Sequence, residues 1–398
     1  MQDLICLSHL RWDFVWQRPQ QLLSRLAQQY RIIFVEEPVT DTEIDQPYLE
    51  TYPGRTPGAE PVTVARLHYP SNDHYWIGHN DERTQRDYER LLLDYLDRKE
   101  IHYPLVWLYT PMAAPFVAAL EPSLLMYDVM DELAAFKGAP AELKAADRHL
   151  LQSADLVFTG GASLYRSRQP YHDNIHLFPS GVDIEHFARA DREEFAPPED
   201  IAELKSPILG YFGVIDERMD LPLLAHLAAA HPEWNLVMVG PVIKIDPQDL
   251  PQAANLHYPG MKDYHDLPAY LAHFDVALVT FAMNESTRHL SPTKTLEYLA
   301  AHKPVVSTPI PDIIELYGDY VRIGHTPEEF TAQVEAALAA SEQERAKRRR
   351  KEKTLLNRYT WDSIAEQMGE LIAANSQTKA STNRTASQAG AQPVLAKA

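Results

Sequence analysis

Ser291-Pro292-Thr293-Lys294-Thr295-Leu296-Glu297-Tyr298-Leu299, followed by Lys303-Pro304-Val305-Val306-Ser307-Thr308, reads as a short polar loop, a helix and a buried strand. Ser291 suits a helix N-cap and Pro292 the first helical position. The hydroxyls of Ser291 and Thr293, the backbone N–H groups of the first turn and the Lys294 ammonium then gather at one helix start. Unpaired donors and the positive end of the helix dipole suit an anion such as a diphosphate there. Glu297 lies one turn further in, and a carboxylate accepts two hydrogen bonds side by side, as a sugar diol offers. Phosphates beside a diol acceptor describe a nucleotide-sugar site.

Outward from this stretch the chain repeats one rhythm. Ile208–Phe212, Leu236–Val239, Leu256–Tyr258, Val276–Val279 and Val305–Ser307 read as strands, with helices over about Leu221–Ala230 and Asp266–His273 between them. An earlier block shows the same alternation. Its strands are Asp3–Leu7, Arg31–Val35, Leu105–Tyr109, Leu124–Tyr127, Leu156–Thr159 and Ile175–Phe178, with helices over about Arg18–Gln29 and Pro140–Ser153. Alternating strands and helices imply right-handed parallel crossovers, so the expected class is α/β, two Rossmann-like doubly wound sheets facing across a cleft. Residues 42–80, rich in Pro, Thr and Tyr, read as long loops or short strands. The expected division is a first domain over 1–188, a hinge over 189–206, a second domain over 207–356, a helix over 357–374 crossing back to the first domain, and a disordered tail over 375–398.

Bulk properties exclude several classes. At 398 residues and 45% hydrophobic the chain can bury two cores. No run approaches the roughly 18 apolar residues of a membrane span, and no basic region precedes the apolar N-terminal stretch as in a signal peptide. One cysteine, Cys6, cannot form an internal disulfide, which fits a reducing compartment. A net charge of −19 argues against a nucleic-acid partner. Residues 342–353 hold seven basic and three acidic side chains, an exposed helix face or a contact for an anionic membrane or a partner complex.

Ligands of open α/β sheets bind beyond the carboxyl ends of the strands. Gly213 ends a strand there and Arg218 follows, a close backbone approach and a cation for phosphate. The alternative for Arg218 is an ion pair with Glu217 or Asp220. Gly260 either lets the backbone touch a base edge or makes a plain turn, and His289 either contacts a transferred sugar or lies on the surface. In the first block Asp128 and Asp131, with Glu132, crowd one strand end. They suit binding of acceptor hydroxyls and proton transfer from the attacking oxygen, with N-capping the alternative for Asp131. His9, Trp12, Trp16 and Arg18 on the loop after the first strand suit an acceptor sugar, the tryptophans by stacking or else by packing at the domain interface. No His or Cys cluster or tight Asp-x-Asp pair suggests a metal site, and no metal or cofactor is expected.

Tyr211-Phe212-Gly213, Val239-Gly240, Asp275-Val276-Ala277-Leu278, the opening stretch through Ala300, and Lys303-Pro304-Val305-Val306 resemble the donor domain of GT-B glycosyltransferases of the family 4 type. Ser180-Gly181-Val182-Asp183 with Phe187 is similar to that family's segment before the hinge, and Tyr359-Thr360-Trp361-Asp362 to the start of its last helix. The first block, with Trp16-Gln17-Arg18-Pro19 and Tyr127-Asp128-Val129-Met130-Asp131-Glu132, looks like a bacterial subgroup of exopolysaccharide and cell-wall polymer synthesis.

The resemblance implies transfer of a sugar from a nucleoside diphosphate donor to a carbohydrate or lipid-linked acceptor, with retention and without a metal. It places Glu297 on the ribose, Ser291, Pro292 and Thr293 at the diphosphate, and Arg218 on phosphate, while His289 stands where the family has a glutamate contacting the transferred sugar. A cytoplasmic protein is expected, peripheral at the inner membrane face if its acceptor is lipid-linked. A nucleotide-sugar epimerase on the same fold and a non-catalytic partner in a polysaccharide assembly complex are the competing readings.

Overall fold

The computed structural model describes residues 1–55, 62–72, 78–136 and 138–389, those from 382 onward by backbone only. Two sheets organise it. The first contains β1 (Gln2–Ser8), β2 (Tyr30–Glu36), β3 (Val39–Asp41), β4 (Tyr48–Pro53), β5 (Thr63–Pro70), β6 (Leu105–Leu108), β7 (Leu124–Val129), β8 (Leu156–Thr159) and β9 (Ile175–Leu177). Its spatial order is β3-β5-β2-β1-β6-β7-β8-β9, with β4 on β5. The second contains β10 (Ile208–Phe212), β11 (Asn235–Val239), β12 (Leu256–Gly260), β13 (Val276–Val279), β14 (Val305–Ser307) and β15 (Arg322–Ile323), in the order β12-β11-β10-β13-β14-β15. All pairs of the second sheet are parallel.

The central strands are continuous apolar runs because helices cover both faces of a parallel sheet. From Leu4 to Leu7, for example, β1 is fully buried. Strand order reverses beside β1, between β2 and β6, and beside β10, between β11 and β13. The carboxyl ends of those strands open the crevices where ligands of such sheets bind, and here the crevices face each other.

Within 42–80, read as long loops or short strands, the structure has short strands, an antiparallel β4–β5 pair on an otherwise parallel edge, with 56–61 and 73–77 outside the described residues. The structure revises the expected outline in two places. The stretch read as hinge begins inside a helix, Ile184–Arg192, whose Phe187 and Ala190 sit in the second domain's core, so the second body starts before residue 189. The segment read as a disordered tail from 375 is helical as far as Ala389. Residues 390–398 lie outside the described residues.

That last helix, Trp361–Ala389, ties the bodies together. Trp361, Ile364, Ala365, Met368 and Ile372 enter the first domain's core beside Leu22 and Leu26 of the helix Arg18–Leu26. Backbone bonds from Val182 N–H to Tyr359 O (2.7 Å) and from Trp361 N–H to Val182 O (3.3 Å) pin its entry. The basic helix, Glu342–Leu356, starts in a capping box at Ser341. Arg348 reaches Glu352, which is fully buried, so this face is partly committed to packing. Among the described residues no helix is long and apolar enough to cross a membrane.

Candidate functional site

The crevices merge into one cavity of about 470 Å³ with a wall from each domain. The first domain contributes Trp12–Arg18, Met130, Asp131 and Ser180. The second contributes Gly213, Arg218, Tyr264, Ser291–Lys294 and Glu297.

The helix that carries the opening motif is Lys294–Ala300, so Ser291 is not its N-cap. Thr293 holds that position with helical φ and ψ and no side-chain cap bond, which leaves Ser291 and Pro292 as a loop on the cavity wall. Tyr298 fixes the helix to β10: its hydroxyl accepts from Phe212 N–H at 3.0 Å, and its ring meets Phe212 edge-on at 4.9 Å. Glu297 and Lys294 lie one turn apart, enclosed together. Burial pushes the Glu297 carboxyl up, with Lys294 opposing, and burial pushes the Lys294 ammonium down, with Glu297 opposing. The Lys294 Nζ lies 5.3 Å from the Tyr211 ring centre and 5.1 Å from that of Phe281.

Gly213 has φ +137°, a conformation that side chains rarely adopt, and a Cβ there would come within 2.9 Å of Lys294 Cε. Arg218 follows in the same loop. Its partner is neither Glu217 nor Asp220 but Asp216, which takes Nε at 3.0 Å and Nη2 at 2.7 Å. Asp216 is 2% exposed, so it holds the fork rigidly at the cavity edge. Across the cleft, Asp131 is raised by burial and feels Arg218, Asp216, Lys244 and Lys294. Phe136 from the same loop lies under both Arg218 (5.2 Å) and Lys244 (4.6 Å). The sequence reading missed Asp216, Phe136 and Lys244. Asp216 stands two residues before Arg218 and was visible there, whereas Phe136 and Lys244 have no local signal because their partners lie in the other domain.

Several expected site residues do other work. Asp128 is fully buried and grips Arg18 through two 3.0 Å bonds, while Arg18 Nη1 donates to Phe178 O at 2.8 Å. Asp128 is therefore no free base, and Arg18 no free acceptor ligand. Trp12 is 1% exposed, packs edge-on against Phe34 and donates Nε1–H to Arg55 O, so it is core lining rather than a stacking platform. Trp16 remains half-buried on the wall. His9 lies off the cavity lining, and burial pushes it down to about 4, with Lys244 adding to the effect. His289 also lies off the lining. Burial lowers it, and the charges of Glu132, Arg168, Arg288 and Asp312 act on it. Gly260 closes β12 with φ +77°, paired with Val239, and its carbonyl accepts from Gly240 N–H at 2.9 Å, while the next residues, Met261–Tyr264, line the cavity.

Two facing Rossmann-like domains with one cavity between their strand ends define a known architecture. The fold is GT-B. Over 94% of its length the GT-B chain superposes on 99% of a sucrose-phosphate synthase from Thermosynechococcus elongatus, with TM-score 0.70 at 15% identity. It covers 94% of itself and 100% of Anabaena HepE, solved in complex with UDP-glucose, with TM-score 0.67 at 14% identity. Residues 220–370 match the Glycosyl transferase-like family. A putative teichuronic acid biosynthesis glycosyltransferase, TuaH of Bacillus subtilis (strain 168), is 25% identical over 237 residues, 57% of this chain. The chain spans 58% of the length of that relative.

Proposed function

We propose that this GT-B protein is a glycosyltransferase that moves a sugar from a nucleoside diphosphate sugar to an acceptor hydroxyl in a bacterial cell-wall polymer or related glycoconjugate. One observation carries the reading: Arg218, Lys294 and Glu297 line the same interdomain cavity as the loop Ser291–Thr293. Two cations for a diphosphate thus stand beside a carboxylate for a diol. The glycosyltransferase-like match over 220–370, the cell-wall relative and the UDP-glucose bound by HepE support it.

In this mechanism the diphosphate lies along Ser291–Lys294, with Arg218 on its outer side and Glu297 on the ribose. As the glycosidic bond breaks, negative charge grows on the departing phosphate. Cations already held by Asp216, Tyr211 and Phe281 need no reorganisation to meet it. The acceptor hydroxyl attacks from the same face and its proton passes to the departing phosphate, which gives retention. Asp131, on the opposite wall and raised by burial, orients that hydroxyl. The charge on the diphosphate is handled by side chains, so no metal is required. The rim side chains Phe14 (45% exposed) and Met261 (48% exposed) favour an acceptor with an apolar, lipid-like part. Such an acceptor would place the protein at the inner membrane face.

A thermal-shift screen over UDP, GDP, ADP and dTDP sugars, followed by product analysis, tests this. One nucleotide sugar should raise the melting point, and its sugar should appear on an acceptor. Glu297→Ala and Lys294→Ala should abolish the shift. Release of a free epimerised sugar nucleotide, or no nucleotide sugar retained at millimolar concentration, overturns the assignment.

A further inference from the structure

Beside the loop at Ser291 the two domains are joined by a buried carboxylate. Asp312, in the second domain's helix Pro311–Tyr317, is 0% exposed, and its Oδ1 accepts from the backbone N–H of Ser163 in the first domain at 2.9 Å. Among the described residues its Oδ2 is buried without a hydrogen-bond partner. Gly161, two residues before Ser163, has φ −159° and ψ 157°, extended backbone that any residue adopts. Conformation therefore does not demand a glycine. Space does: a Cβ at Gly161 would lie 2.2 Å from Asp312 Oδ2 and 3.0 Å from Ser291 Cβ. Gly161 is wedged between Asp312 and the first residue of the loop that lines the cavity. Arg166 and Glu315 add an ion pair next door, but both are about half exposed and contribute little.

We propose that Asp312 is a positioning residue that clasps the first domain's Gly161–Ser163 segment against Ser291, coupling closure of the cleft to the placement of the diphosphate loop. This rests on the nucleotide-sugar reading for its second half only. A backbone N–H bonded to a buried carboxylate is a charge-assisted contact, and breaking it leaves a buried donor unpaired. Losing it should shift the closed–open equilibrium by about tenfold or more. A ligand that needs the closed form loses apparent affinity by the fraction that stays closed.

The full chain is labelled with nitroxides at Arg86→Cys in the first domain and Ala336→Cys in the second, both exposed positions, while the single native cysteine, Cys6, is buried. Dipolar distance measurements without ligand and calorimetric titration with UDP are made on Asp312→Ala, Asp312→Asn and Gly161→Ala. Asp312→Ala and Gly161→Ala should each lengthen or broaden the interdomain distance and weaken UDP binding about tenfold or more. Asp312→Asn keeps an oxygen acceptor for Ser163 N–H and should restore both, which a merely structural aspartate would not predict. Gly161→Ala probes the clasp from the other domain should Asp312→Ala fold poorly. Unchanged distances in both alanine variants overturn the clasp, whatever UDP does. Wider distances with unaltered UDP affinity overturn its link to the donor. If UDP binds no form, the distances still decide the clasp, and the donor reading alone fails.

Discussion

The guanidinium of Arg218 lies 5.2 Å from the ring centre of Phe136, a residue of the opposite domain. The same ring stands 4.6 Å from Lys244 Nζ, so one aromatic side chain of the first wall organises two cations of the second. A cation held over an aromatic face gains about 0.5–2 kcal/mol depending on its desolvation. Phe136→Ala should therefore weaken nucleotide-sugar binding by roughly 2- to 30-fold, and Phe136→Tyr should retain most of it. Titration calorimetry on the purified variants checks this, and equal affinity in Phe136→Ala would remove the ring from the site.

Lys294 and Glu297 set a pH window for binding. Glu297 must be ionised to accept two hydroxyls, and burial raises its carboxyl, so affinity falls as pH drops while still above the ordinary carboxylate range. Lys294 must be protonated to meet a diphosphate, and burial lowers its ammonium, so affinity falls as pH climbs while still below the ordinary lysine range. Binding is expected to peak near neutral pH, with both limbs inside the range a binding titration can reach. Glu297→Gln should erase the acid limb and leave the alkaline one. A flat profile for the parent protein contradicts the pairing.

Gly213→Ala should fold yet bind poorly. The added methyl is strained at φ +137° and meets Lys294 Cε at 2.9 Å and Nζ at 3.2 Å. The flexible lysine can yield, so the expected change is a displaced ammonium and at least tenfold weaker diphosphate binding, with only a modest loss of melting temperature. Unaltered affinity would show that Lys294 does not meet the ligand from this position.

Arg18 and Asp128 form a stability pair. Both are buried, and removing one partner leaves an uncompensated charge, which costs about 3–5 kcal/mol. Asp128→Asn should lower resistance to denaturant by that order, measured by chemical unfolding, while any folded fraction keeps its nucleotide affinity. Wild-type stability with lost turnover would instead return Asp128 to the chemistry.

Much of the layout was legible because it is local. Each apolar strand run, each crossover helix and the glycine closing β10 carry their signal within a dozen residues, and the polar loop before Lys294 does the same. The errors cluster where a partner lies far along the chain. Asp128 looked like a free carboxylate because nothing near it reveals Arg18, 110 positions earlier. Trp12 looked like a stacking surface because Phe34 and the Arg55 carbonyl that enclose it are brought in by other strands and loops. The segment after residue 375 lacks an apolar face strong enough to announce a helix. It continues one whose first turns, from Trp361 to Ile372, are locked into the first domain, and a helix already nucleated extends at little cost.

The amino-acid sequence by itself determined two doubly wound sheets and an anion-suited turn ahead of Glu297, since hydrophobic period, helix starts and glycine positions act over short range. Only the tertiary structure decided which charges are free and which are committed. It gave Arg18 to Asp128, fastened Arg218 with Asp216 and laid Phe136 against it, and set Asp312 on Ser163 across the cleft. The physical reason is that the protonation and availability of a charged group depend on its burial and its neighbours, and those are fixed only when distant segments meet.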